Sequence, residues 1–167
     1  MHRPCRSVQV FDESLAVLVA DMVATMYAAE GVGLAANQVG VDLQVFVFDC
    51  HDDDGVRHRG VACNPRLEVP QGRDRALDDS DEGCLSLPGA FVPCARPDFA
   101  AVSGLDLAGQ PVHYAGSGLL ARCLQHEFDH LQGVVFGDRL SNRARKVLYK
   151  EAAKAAEAFP PGWPAEL

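Results

Sequence analysis

His126 and His130 stand four residues apart in the stretch Gln125-His126-Glu127-Phe128-Asp129-His130. On a helix that spacing puts both imidazoles on one face, one turn above the other. Two neutral imidazoles presented that way are half of a tetrahedral metal site. Glu127 follows His126, so its side chain points about 100° round the helix axis, within reach of a metal-bound water without ligating the metal. This is the H-E-x-x-H arrangement, with the carboxylate as general base and the metal as Lewis acid. Two solvated histidines beside a surface acid would spell the same letters. Leu119, Leu120, Cys123, Leu124, Phe128 and Leu131 surround the motif, however, and predict a buried helix. A buried histidine pair beside two acids needs partners, and a metal supplies one.

The helix must be held by the rest of the chain. Asp12 is the expected N-cap of a helix over about 12–29, with Leu15, Val17, Leu18, Val19, Met22, Val23, Met26 and Tyr27 at helical spacing. Next comes Gly31–Gly40, where two glycines a residue apart suggest a backbone passing close to something. A phosphate loop is excluded there, because neither GxGxxG nor GK[ST] spacing occurs. Gln44–Cys50 reads as a strand, His51–Gly60 as a polar turn, and Val61–Cys63 and Arg66–Pro70 as strand pieces around Asn64-Pro65. His51 and His58 read as solvated loop residues. Gln71–Asp81 is polar and acid-rich and reads as an exposed loop or hairpin tip. In Glu82–Gly89, Gly83 lets the backbone bend beside Cys84. Ala95–Leu107 and Gln110–Tyr114, split by Ala108-Gly109, form a hairpin pattern. Ser117 caps the histidine helix and Gly133 ends it. Ser141 or Asn142 caps a last helix to about Ala158, stopped by Pro160-Pro161. With no repeat and no linker, residues 1–167 are expected to be a single α+β domain.

The 167 residues can bury a sizeable core, and 48% hydrophobic with 23% charged content is an ordinary globular profile. A net charge of −8 makes a dedicated nucleic-acid domain a poor reading. No apolar run approaches the ~20 residues of a membrane span, and the opening MHRPCRSVQV has no apolar signal core. The six cysteines show no CxxC pairing, so reduced thiols in a cytoplasm are expected.

A catalytic metal with two histidines needs a third protein ligand and an open position. Glu151 on the last helix is one candidate, and would make the chain a metalloprotease. Cys84 is the other: its thiolate binds metal tightly, and a metal supplies the cation that a thiolate in an acidic setting requires. A metal-stabilised binding module and a Cys84/His thiol hydrolase are further readings, separable by an open coordination position and by chelation.

GVGLAANQVG, EGCLSLPG and QHEFDHLQG resemble, in this order and spacing, the three signature motifs of peptide deformylases, over about residues 12–150. The resemblance implies a mixed α+β domain with antiparallel sheets around a central metal-binding helix, flanked by N- and C-terminal helices. It implies a metal-dependent hydrolase that removes the N-formyl group from N-formylmethionyl nascent polypeptides. It implies further that a bound metal would activate water to attack the formyl carbon, lowering its pKa from about 15.7 to about 7–9. Carried across, Cys84, His126 and His130 are the metal ligands and Glu127 the general acid/base. Gln38 and the Leu85 backbone N–H are oxyanion donors, each such donor being worth ~3–4 kcal/mol. Gly33 lines the channel, its missing side chain admitting an extended peptide. Fe²⁺ is implied as the native ion, with Zn²⁺, Ni²⁺ or Co²⁺ possible in purified protein. Related chains usually carry a further segment ahead of this Met1.

Glu82 and Asp129 are candidate partners for the ligand histidines, with Arg96 balancing their charge. Val32, Leu119 and Cys123 are candidates for the methionine pocket, and Arg122, on the same wall, is expected to turn outward. The last helix is read as holding Arg139, Arg143, Arg145, Lys146, Lys150 and Lys154. A solvated face is the favoured reading of that run, with ribosome docking as the alternative that the resemblance implies for some members. A monomer is expected.

Overall fold

The structure, a computed structural model, describes residues 1–158. In chain order it contains α1 (Glu13–Ala28), β1 (Gly33–Ala35), β2 (Val45–His51), β3 (Arg57–Glu68), β4 (Leu77–Asp78), β5 (Asp81–Gly83) and β6 (Phe91–Pro93). There follow β7 (Arg96–Pro97), β8 (Phe99–Leu105), β9 (Pro111–Ser117), α2 (Gly118–Leu131) and α3 (Asn142–Ala156). Pro160-Pro161 lie outside the described residues. Two compact units are distinguished among the described residues: Met1–Asp78 with Arg96–Val135, and Asp79–Ala95 with residues 136–158.

The first unit is built on an antiparallel sheet of order β1-β2-β3-β8-β9. Phe46 and Phe48 on one face of β2 join Ala62, Ala100 and Val102 in a core completed by Leu120, Leu124 and Leu131 of α2. Val45 and Val47 alternate to the other face and are also fully buried. Burial on both faces explains why this strand reads as a continuous apolar run. α1 packs against β1 and β2, and its N-cap Asp12 accepts from Ser14 N and Leu15 N.

Three sequence expectations change here. The polar turn is shorter than 51–60, because Arg57–Gly60 continue β3 opposite Phe48–His51. Arg57 earns its strand place through Asp49, whose carboxylate it meets at 2.7 and 2.5 Å. His58 is correspondingly half-buried in that strand, with Nε2 2.8 Å from Asp52 Oδ2, rather than a solvated loop residue. The two strand pieces around Asn64-Pro65 are one strand with an irregularity between Cys63 and Arg66. Asn64 adopts φ 51° there, and its side chain brackets Val8, accepting from Val8 N at 2.7 Å and donating to Val8 O at 2.9 Å.

In the second unit β5 pairs with β6 and α3 packs against β6. Ala90, Val92, Cys94, Phe136, Leu140 and Leu148 form its core, with Ala144 and Ala152 from the same stripe of α3. Gly83 is not a bend. It sits in β5 opposite Phe91, and an added Cβ would run into the Phe91 ring. Ser141 caps α3 by accepting from Ala144 N. Arg139 falls in the short 3-10 turn Phe136–Arg139 ahead of α3, and Arg145 is spent on Gly137 O at 2.8 Å. Arg143, Lys146, Lys150 and Lys154 remain on the exposed face of α3.

Candidate metal centre

α2 carries more buried polar groups than a solvent-facing helix does. Arg122, Gln125, His126, Glu127, Asp129 and His130 are all buried along with its leucines. Ser117 occupies its N-cap position but makes no side-chain cap bond, so that expectation holds for position and not for chemistry. Gly133, at φ 75°, follows the C-cap Gln132 as expected.

The two imidazoles face each other edge-on, ring centroids 4.8 Å apart and planes at 79°. Their Nε2 atoms are 3.1 Å apart. Two imidazole nitrogens at ~2.05 Å from one tetrahedral ion would be about 3.3 Å apart, so the pair is spaced for a shared cation. The donor atoms of Cys84, His126 and His130 all lie within 4.8 Å of one another, and this is the three-donor group found among the described residues. One soft thiolate and two imidazoles suit a divalent transition metal. Glu151 is not a member of the group, which removes the metalloprotease arrangement.

Glu127 is buried and lies over β1. A Cβ at Gly33 would be 2.5 Å from Glu127 Oε1 and 2.8 Å from Cys123 Sγ. The close approach foreseen for Gly31–Gly40 is therefore to this carboxylate and this thiol. Gln38 sits in the 3-10 turn Ala36–Val39, and its Oε1 accepts from Ala35 N at 2.8 Å. That bond turns the NH₂ end of the amide away from β1 as a donor. Leu85 follows Cys84 in the β5–β6 connection and is half-buried. Val32 and Leu119 are exposed apolar residues beside buried Cys123. The Cys123 thiol points to Val32 O at 3.5 Å, and Leu119 lies one turn before Cys123 on α2.

Asp129 is fixed by Arg96, whose Nη1 meets Oδ2 at 2.9 Å with both side chains buried. Glu82 is likewise buried. Arg122 does not turn outward. It is 6% exposed and holds Asp78 through the carboxylate at 2.8 Å and the carbonyl at 3.0 Å. A guanidinium with a strand carboxylate in reach is better satisfied inward, and Asp78 is too far along the chain for sequence spacing to reveal. Sequence reasoning also missed Asn37, whose Nδ2 donates to the His130 carbonyl at 2.6 Å. Its only sequence signal is adjacency to Gln38. None of the six cysteines is in a disulfide, and burial pushes Cys63 up to about 11, removing it as a nucleophile.

The profile of the family described as Polypeptide deformylase matches residues 1–146. Peptide deformylase 1 of Streptomyces avermitilis is 55% identical over 161 residues, which span 96% of this chain and 74% of that one. A crystal structure of a peptide deformylase from Legionella pneumophila superposes with a TM-score of 0.81 at 39% identity, covering 96% of this chain and 92% of that chain. The enzyme of Synechococcus elongatus, solved in complex with actinonin, gives a TM-score of 0.80 at 39% identity, covering 96% and 86%.

Proposed function

The chain belongs to the polypeptide deformylase family, and from that membership we propose a residue-by-residue reading of its centre. The protein is a metal-dependent hydrolase that removes the N-formyl group from nascent peptides. In the proposed reading Cys84, His126 and His130 hold one divalent ion, Fe²⁺ as native, with Zn²⁺, Ni²⁺ or Co²⁺ able to replace it. Convergence of one thiol and two imidazoles within 4.8 Å is the observation that carries it.

When bound, the ion supplies Lewis acidity and makes water a nucleophile near neutral pH. Glu127 takes the proton of the attacking water and returns it to the leaving amine nitrogen. The Gln38 NH₂ and the Leu85 backbone N–H donate to the oxygen on which charge builds, each worth ~3–4 kcal/mol. Gly33 lines the substrate channel, where its missing side chain lets an extended peptide pair with the backbone. Val32, Leu119 and Cys123 take the methionine side chain, whose unbranched apolar shape they match. Asp129 holds its end of α2 still through Arg96. Residues 1–167 act as one catalytic domain, as a monomer in the cytoplasm, where free thiols persist. The exposed Arg143, Lys146, Lys150 and Lys154 are where α3 would meet the ribosome, and deleting 141–167 should then abolish co-sedimentation.

The test is hydrolysis of formyl-Met-Ala-Ser with metal analysis before and after chelation. Activity should vanish with the metal and return on adding it back. Cys84→Ser should lower metal content and activity together, while Glu151→Ala leaves both unchanged. Full activity in the chelated protein would end the reading.

A further inference from the structure

His130 lies in the last turn of α2, where backbone carbonyls run out of intrahelical partners. Two of them are received from elsewhere in the same unit. Asn37 Nδ2 donates to His130 O at 2.6 Å, and Cys5 N donates to Leu131 O at 2.8 Å. Behind them the Arg3 backbone packs so closely on Gly133 that a Cβ there would meet it at 2.5 Å. The end of the helix is thus pinned rather than frayed.

The His130 carbonyl also takes a longer local bond from Gly133 N at 3.1 Å, and of the contacts made from outside the helix end the one from Asn37 bears directly on a proposed ligand residue. Only the NH₂ end of its amide can face a carbonyl, so the orientation of the side chain is fixed. The bond joins residues 93 apart in sequence. The neighbour of Asn37 is Gln38, itself anchored to Ala35 N at 2.8 Å. One short 3-10 turn therefore ties down the metal-bearing helix with one residue and presents an amide donor with the next.

We propose that Asn37 is a positioning residue. By holding the His130 carbonyl it fixes the last turn of α2 and so aims the His130 imidazole at the shared ion. Losing the donor frees that turn to shift, and the ring moves with it. The inference rests on the reading of Cys84, His126 and His130 as the metal donors.

The test is Zn²⁺ affinity of the folded, metal-free protein, measured by competition with a chromophoric chelator, with Co²⁺ absorption as a second readout. Asn37→Asp keeps the shape and removes the donor, and Asn37→Ala serves as a second variant. Both should bind Zn²⁺ about 10–100-fold more weakly than wild type, with altered Co²⁺ bands. Ser141→Ala, which removes a cap bond from α3, should lower the melting temperature and leave Zn²⁺ affinity unchanged. Folded Asn37 variants with wild-type Zn²⁺ affinity would overturn the proposal, and so would failure of both to fold, which assigns Asn37 a purely structural part. A wild-type protein that binds no Zn²⁺ would instead strike at the metal-donor reading itself.

Discussion

Gly33→Ala adds one methyl where no room exists. The new Cβ would lie 2.5 Å from Glu127 Oε1, 2.9 Å from Glu127 Cδ and 2.8 Å from Cys123 Sγ. Ordinary contact begins near 3.4 Å, so the carboxylate oxygen must retreat by 3.4 − 2.5, or about 0.9 Å. Cys123 is buried and its thiol is held by Val32 O, so it yields less easily. The carboxylate, at the end of a flexible side chain, moves first. Overpacking of this kind costs about 1–3 kcal/mol, which a domain of ordinary stability survives. Catalysis fares worse, because the displaced group is the proposed proton carrier. Misplacing it by ~1 Å costs on the order of 100-fold in rate, or ~2.7 kcal/mol of barrier. The assay is steady-state hydrolysis of formyl-Met-Ala-Ser, with metal content and melting temperature measured alongside. We expect kcat to fall about 100-fold with metal retained and KM little changed. If Gly33 matters only as a wall of the peptide channel, the split reverses: KM rises and kcat holds. Wild-type kcat in the folded, metal-loaded variant would refute the packing argument.

Arg96→Met removes the guanidinium from a buried Asp129 and should destabilise by about 3–5 kcal/mol in urea unfolding; a loss near zero would show that the pair holds nothing in place. Asp49 sits between Arg57 and Tyr27, and the Arg57 hydrogen bond holds its carboxyl down at about 2, against an ordinary 3.8. Its folded pKa being the lower, the contribution is complete above about pH 4 and is lost as pH falls toward 2. Asp49→Asn should therefore lower stability at pH 7, by ~1 kcal/mol for a pair whose arginine is largely exposed, and flatten the acid limb of stability against pH.

What could be read from the sequence was what depends on local periodicity. His126, Glu127 and His130 declare their geometry because helix spacing alone places them. The caps at Asp12, Gly133 and Ser141 are equally local signals. Cys84 could be weighed against Glu151 on chemistry, but helix spacing says nothing of which of them lies with the two histidines, and it is Cys84 that does. What stayed hidden depends on partners distant in the chain. Arg57–Gly60 looks like a turn until Asp49 supplies the charge that makes a strand of it. Arg122 looks misplaced until Asp78 appears. Gly83 looks like a hinge until the Phe91 ring lies across it. Asn37 looks like filler beside Gln38 until it meets a carbonyl 93 residues away.

The burial of α2 on nearly every side bears on how this enzyme can vary. An amphipathic surface helix keeps an outer stripe on which substitutions accumulate at little cost. Here Leu120–Glu127 and Asp129–Leu131 are all enclosed, leaving Leu119 and the half-buried Gly118 and Phe128 as the positions with solvent beside them. Polar members of the enclosed set are committed as firmly as the leucines: Gln125 donates to Pro97 O and Ala121 O, both at 2.9 Å. Drift in this segment has no neutral lane to follow. Adaptation of the enzyme to new substrates or temperatures must therefore be written into the loops and strands around the helix, while the helix itself stays nearly fixed.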